Sequence, residues 1–416
     1  MMSVSLLLSG LLGCAWDESA GLYGFDATTS EDQVNALDVS WEQDPPGVSR
    51  LHVVQGGRTW TSDWSGAGWE HSQRVAGLRA DEDVELQVET LESLFGDVHL
   101  ARTEPLPSWV PELRVSGRAS QGLAVPVLDS SGESVALYLD SEGQIVGYGG
   151  RGLPQLTALE STGAGTLAGI GDGHMVRVDE QLCLQIESVP GAHHDLGVAP
   201  DGRVAWLSLG TEAGVDREWV MIRDQDGDRL MFDRSEHYQE LGLFHQEGDG
   251  DVQTSHFNSV SWDPWREAWL VSWGSPTGMM WLDDAGNILD VQDFRGEVGH
   301  GIEAPAYVEL THEVTPTPTG VMVMANVVEG QDCSQVLELQ FQGDVLHQID
   351  QYEGDCQQIF AIGGVRSLGH TETVVTWSTA GLLEVLDGPD RVMEVRLPFG
   401  YGFGYASPLE EPFQGR

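Results

Sequence analysis

Three observations predict an all-β chain in which a small β-sandwich precedes a six-bladed β-propeller. The first is the prevalence of short alternating runs: L-H-V-V-Q from Leu51, V-E-L-Q-V-E from Val84, V-A-L-Y-L-D from Val135 and L-L-E-V-L-D from Leu382. Period-two runs bounded by Gly, Asp and Ser read as strands with one buried face. The second is turn content: 52 Gly and 18 Pro in 416 residues, while long amphipathic helical stretches are hard to find. The third is a strand–turn–strand tract with a D-x-x-G-like turn, recurring from Leu137, Val176, Met221, Trp281, Leu337 and Leu383. Its spacing of roughly 40 to 60 residues fits one outer hairpin per propeller blade.

In chain order, residues 1–14 read as a signal peptide ending in a lipobox. M-M-S-V-S-L-L-L-S-G-L-L-G-C holds an apolar run too short to span a bilayer, and Leu11-Leu12-Gly13 precedes Cys14, the residue that would be lipidated. No Lys or Arg occurs before Arg50, so the basic stretch usual ahead of such a run is missing. The expectation is an exported protein held in the bacterial cell envelope by a lipid anchor alone. Residues 15–25 read as a linker. Residues 26–105 carry the sandwich: L-D-V-S-W-E-Q from Leu37 puts a Trp on an early strand, and V-A-G-L-R-A-D-E-D-V-E-L-Q-V follows from Val75. That pattern resembles a fibronectin type III domain. Residues 106–112, within P-L-P-S-W-V-P, read as a stiff linker, and the propeller occupies 113–416.

With 40% hydrophobic residues and 14 Trp the chain has ample core material. Its 20 basic and 66 acidic residues give a net charge of −46, and every basic residue is Arg. Such a surface repels phosphate backbones and anionic headgroups, which argues against nucleic-acid binding. An anionic substrate would need local Arg or imidazolium. Cys333 and Cys356, 23 residues apart, are the expected disulfide of an exported protein, while Cys183 in L-C-L-Q-I reads as a buried strand residue. No C-x-x-C spacing supports a structural zinc site. Asp224, Asp226 and Asp228 imitate a calcium loop. Arg229 occupies its sixth position and Ser235 its twelfth, where Gly and Glu are needed, so Asx-type turns explain the tract. No metal or cofactor is expected.

Candidate chemistry lies in three similar starts: H-H-D-L-G-V-A-P-D-G from His193, H-F-N-S-V-S-W-D from His256 and H-E-V-T-P-T-P-T-G-V-M-V-M-A-N from His312. The last histidine of each is 62 (194 to 256) and then 56 residues (256 to 312) from the next. In a propeller these positions open the innermost strand of successive blades, so the imidazoles converge at one channel mouth. Strand alternation places only one of His193 and His194 inward, and either fits. Trp265, Trp269, Trp273 and Trp281 lie close together and read as blade packing or as an aromatic ligand surface.

The three histidine motifs, with G-G-V-R-S-L-G-H-T-E-T-V-V-T-W-S-T-A-G-L-L-E-V from Gly363, resemble in order the motifs of bacterial arylsulfate sulfotransferases, over most of residues 113–407. The resemblance implies a small N-terminal sandwich, a six-bladed propeller, and transfer of a sulfuryl group from a phenolic sulfate ester to a phenol without a nucleotide donor. His312 would be the nucleophile that carries the sulfuryl group. His256 and one of His193 and His194 would hydrogen-bond the sulfuryl oxygens or shuttle the phenolic proton. Asn258, Glu313 and Asp195 would line the substrate site, Asn258 by orienting a ring. The chain departs from the family where Trp273 and Gly274 stand in place of Ser and Arg; Arg366 would then supply the missing positive charge. The competing expectation is a non-catalytic, lipid-anchored propeller that binds a glycan, peptide or aromatic ligand.

Overall fold

The computed structural model describes residues 21–92, 95–163, 166–179, 184–212, 215–237, 241, 257–274, 277–294, 299–359, 361–369 and 371–409. The signal-peptide and lipobox reading with Cys14, and also His256 and Cys183, fall outside these residues.

Strict alternation builds the first unit. Strands β1 (Gly21–Thr29), β2 (Leu37–Gly47), β3 (Ser49–Gln55), β4 (Arg58–Thr61), β5 (Gly68–Val75), β6 (Asp83–Thr90) and β7 (Phe95–Arg102) form two antiparallel sheets, β1-β2-β5 and β4-β3-β6-β7. Every second residue from Leu37 to Gln43, and from Ser49 to Gln55, is buried. Leu37, Val39, Trp41, Leu51, Val53, Leu86 and their neighbours fill the space between the sheets, and the Trp41 indole N–H is satisfied by Ser49 Oγ at 3.0 Å. The linker expected at 15–25 ends earlier, because β1 already begins at Gly21 and packs Leu22 and Phe25 on this core. A register shift between Tyr23 and Asp26 hides the alternation that would have marked the strand. The 106–112 tract is packed rather than free: Val110 enters the core of the next unit and Trp109 sets its edge on Tyr148.

Thereafter the chain repeats four-stranded meanders. The strands are β8 (Arg114–Gly117), β9 (Gly122–Asp129), β10 (Glu133–Leu139), β11 (Ile145–Pro154), β12 (Ala158–Gly163), β13 (Thr166–Gly171), β14 (His174–Val178), β15 (Leu184–Ser188), β16 (Ala192–Val198), β17 (Val204–Glu212), β18 (Val215–Asp224), β19 (Gly227–Asp233), β20 (Phe257–Asp263) and β21 (Ala268–Trp273). They continue with β22 (Gly278–Leu282), β23 (Ile288–Asp293), β24 (His300–Glu303), β25 (Val308–Thr317), β26 (Gly320–Val328), β27 (Gln335–Gln342), β28 (Val345–Tyr352), β29 (Gly364–Gly369), β30 (Glu372–Trp377), β31 (Leu382–Asp387), β32 (Asp390–Arg396), β33 (Tyr401–Phe403) and β34 (Ser407–Leu409). Strands β12–β15 and β16–β19 are complete antiparallel sheets; β20–β23 and β25–β28 are joined at their outer edges by β24. Both ends of the unit are stitched together, β8 onto β32 and β33 with β34 onto β9.

The recurrent turn tracts form the outermost hairpins, β10–β11, β14–β15, β18–β19, β22–β23, β27–β28 and β31–β32. Local turn chemistry explains them: Asp140, Asp224 and Asp283 each accept a backbone N–H two residues ahead. The inner strands β12, β16, β20, β25, β29 and β34 each pack on the next, and β34 returns to β12. The result is an all-β, propeller-like ring of sheets. Trp269, Trp273 and Trp281 are buried between sheets, while Trp265 is 52% exposed. Cys333 and Cys356 form a disulfide.

Candidate functional site

His193 and His194 of β16 and His312 in the middle of β25 gather in one cluster. In β16 the ladder pairs His193 with Leu207 and then Leu196 with Trp206, so His194 and Asp195 form a bulge. His194 takes a φ of 57°, a left-handed conformation that costs a non-glycine residue roughly 1–2 kcal/mol. The bulge cancels strand alternation. Both imidazoles therefore join one cluster, with Nδ1 of His193 and Nδ1 of His194 2.6 Å apart, contrary to the expectation that only one would turn inward. A hydrogen bond between them needs one Nδ1–H and one bare Nδ1.

His312, in β25, is buried, and its ring lies 6.2 Å from that of His194 at an interplanar angle of 21°. Its Nδ1 is 2.9 Å from Asn326 Oδ1, and Asn326 Nδ2 donates to Ile362 O at 2.7 Å. That second bond fixes which end of the amide is oxygen. His312 must then carry its proton on Nδ1, leaving a lone pair on Nε2. The Asn258 amide donates to Thr311 O and ties β20 to β25 one residue before His312.

Below the imidazoles lies a buried ionic cluster. Arg366 Nε donates to Glu313, Nη1 to Glu160 and to Leu159 O at 3.2 Å, and Nη2 to Asp195 Oδ1 at 3.1 Å. The carboxylates also clasp neighbouring strands: Asp195 Oδ2 accepts from Val260 N at 3.1 Å and Glu313 Oε2 from Val365 N at 2.7 Å. Ser259 Oγ does the same for Val314 N at 3.1 Å. Gly364 permits this approach, since a Cβ there would stand 2.3 Å from Glu313 Oε2. Arg366, Asp195 and Glu313 were expected at the substrate. In the structure they pair with one another, because a buried guanidinium needs counter-charges within reach.

Burial pushes the Asp195 carboxyl well above its ordinary range; the Arg366 charge opposes this, and Glu313 and Glu160 add to it. Burial likewise raises Glu313 to about 6 against the pull of Arg366, and raises Glu160. For Arg366 burial works against the charge, but the three carboxylates outweigh it and hold the guanidinium protonated. Tyr405, wholly buried, points its single O–H between Asn258 O at 3.3 Å and His312 O at 3.4 Å. It forms the floor of the histidine cluster.

Glu160, Asn326 and Tyr405 had not been singled out from the sequence. Only Asn326 left a signal, as the polar residue ending the apolar run V-M-V-M-A-N that pairs back on the His312 strand. Trp273 is core, packed with Phe257 and Val271, and Gly274 beside it is buried. Among the described residues the grouping of three acidic or imidazole ligand atoms close enough for a metal is Asp355, Glu384 and Glu394, which Arg391 already bridges.

No protein-family profile matches the chain, and no curated protein matches it. Solved structures do resemble it. A protein of unknown function from Bacteroides caccae is 12% identical with a TM-score of 0.48, covering 71% of this chain and 100% of its own. The Cps50 (Swd1) β-propeller domain of Myceliophteria thermophila is 11% identical with a TM-score of 0.41, over 72% of this chain and 98% of that one. The Pan2 WD40 domain of Neurospora crassa is 10% identical with a TM-score of 0.36, over 65% and 76%. Identities this low bear on no residue's role, and the chain's own sheets carry its description as an all-β, propeller-like protein.

Proposed function

We propose that this chain is a divergent arylsulfate sulfotransferase-like protein, a fibronectin type III-like sandwich followed by a six-bladed propeller, lipid-anchored in the bacterial envelope through Cys14. What supports six blades is the ring of inner strands β12, β16, β20, β25, β29 and β34. What supports the sandwich assignment is its three-plus-four strand order. The observation that carries the chemistry is the Asn326 bond to His312 Nδ1, which presents Nε2 as a nucleophile held by an orienting partner.

In the first half-reaction the Nε2 lone pair attacks the sulfur of a phenolic sulfate ester. The S–O(aryl) bond breaks, and the leaving phenolate takes a proton from the His193–His194 pair. In the second, an acceptor phenol yields its proton to that pair as its oxygen attacks sulfur, and the N–S bond breaks. One Nδ1–H facing one bare Nδ1 suits the pair to both directions of transfer. The engagement of Arg366 by three carboxylates favours a second reading, a ligand-binding propeller without turnover, because a spent guanidinium stabilises no developing oxyanion.

Release of nitrophenol from p-nitrophenyl sulfate, with and without phenol, tests the two. Acceptor-dependent release, a sulfuryl adduct on the intact protein and loss of both in His312→Ala support transfer. Absence of release and adduct across a panel of phenols refutes it in favour of the binding propeller.

A further inference from the structure

The inner strands also enclose a cavity of about 190 Å³. It is separated from the histidines by Tyr405 and the Arg366 cluster. Its lining includes Glu160, Arg366, Ser261, Trp262, Trp265 and Thr315. The polar groups here offer acceptors and few donors. Ser261 Oγ donates its proton to Val314 O at 3.3 Å and Thr315 Oγ1 to Val365 O at 2.5 Å, so their lone pairs are what remain for an occupant. The guanidinium of Arg366 is engaged by its carboxylate partners, while the Glu160 side chain retains 27% exposure. Three carboxylates surround that one guanidinium, leaving the cluster with excess negative charge when all are ionised. Two indoles stand at the rim, Trp265 more than half exposed and Trp262 partly buried.

Lone pairs, the partly exposed carboxyl of Glu160 and the exposed indole of Trp265 together complement a cation. The net charge of −46 raises the local cation concentration further. The volume is below the roughly 300 Å³ where drug-sized ligand pockets begin, and so suits a single head group. We infer that this mouth is a binding site for a small organic cation of the alkylammonium or quaternary ammonium class, with Glu160 as counter-ion and Trp265 as aromatic wall. The site is independent of the sulfuryl-transfer reading and shares no residue with the histidine cluster.

Isothermal titration of the full chain with choline, and with its uncharged carbon isostere 3,3-dimethylbutanol, tests it. Choline is expected to bind at least about threefold more tightly than the isostere, and Trp265→Ala to weaken it by about two- to fivefold, as for a cation–aromatic contact at an exposed site. Because Trp265 is exposed, that variant keeps its unfolding transition; Glu160→Gln, checked by the same transition, weakens choline and leaves the isostere unaffected. His312→Ala binds choline as the parent does. Equal binding of choline and isostere, no binding of either at millimolar concentration, or unchanged choline affinity in Trp265→Ala overturns the site.

Discussion

Replacing Arg366 by Met distinguishes a structural arginine from one in the chemistry. The side chain is buried and spends its nitrogens on Glu160, Asp195, Glu313 and Leu159 O. Its removal leaves three carboxyls in the ring centre without a counter-charge. Breaking a buried ion pair by deleting one partner typically costs about 3–5 kcal/mol, which lowers the thermal midpoint of a chain this size by roughly 3–6 °C. The loss depends on pH in a definite direction. Burial holds the folded-state pKa of these carboxyls above their unfolded values, to about 6 for Glu313. The folded state thus keeps protons that the unfolded chain releases, and stability falls as pH rises from the unfolded pKa through the folded one. In Arg366→Met the folded pKa values climb further, so the deficit is largest near about pH 8 and shrinks toward about pH 5, where the carboxyls are neutral. The assay is denaturant unfolding of parent and variant at both pH values. A variant that unfolds like the parent at pH 8 would refute the view that Arg366 serves the cluster, and one that also lost nitrophenol release would place it back at the substrate.

Asn326→Ala is expected to lower acceptor-dependent release by about 10²-fold with the fold intact, since it frees the His312 tautomer; an undiminished rate shows that Asn326 orients nothing. Gly278→Ala puts a Cβ 2.3 Å from Trp273 Cζ2 and is expected to cost about 1–3 kcal/mol by overpacking, read from the denaturant midpoint. Replacing Cys333 and Cys356 together by Ser opens a loop spanning 23 residues and is expected to cost about 3 kcal/mol; an unchanged midpoint would mean that the bond contributes nothing. Raising salt is expected to speed turnover of an anionic ester, because the −46 surface that opposes its approach is screened; a rate that falls with salt points to a local positive field at the mouth.

What could be read from the chain alone is what depends on neighbours in sequence. Alternation located β2, β3 and β6, and the Asp-bearing turns located every outer hairpin, because an Asx turn and its flanking strands lie within a dozen residues. Cys333 and Cys356 pair as the sequence suggested, whereas His312 lies in the middle of β25 and not at its opening. Alternation failed at its exceptions. The bulge at Tyr23 concealed the start of β1, and the bulge at His194 brought together two imidazoles that a regular strand would have set on opposite faces. The partners of Arg366 were beyond local reading altogether. Glu160, Asp195 and Glu313 come from strands up to 206 residues away, and Tyr405 from the link between β33 and β34 that bridges to Ala158. Only the tertiary arrangement of the inner strands brought these carboxylates to the arginine, since a buried charge takes whichever counter-charges the fold sets within reach.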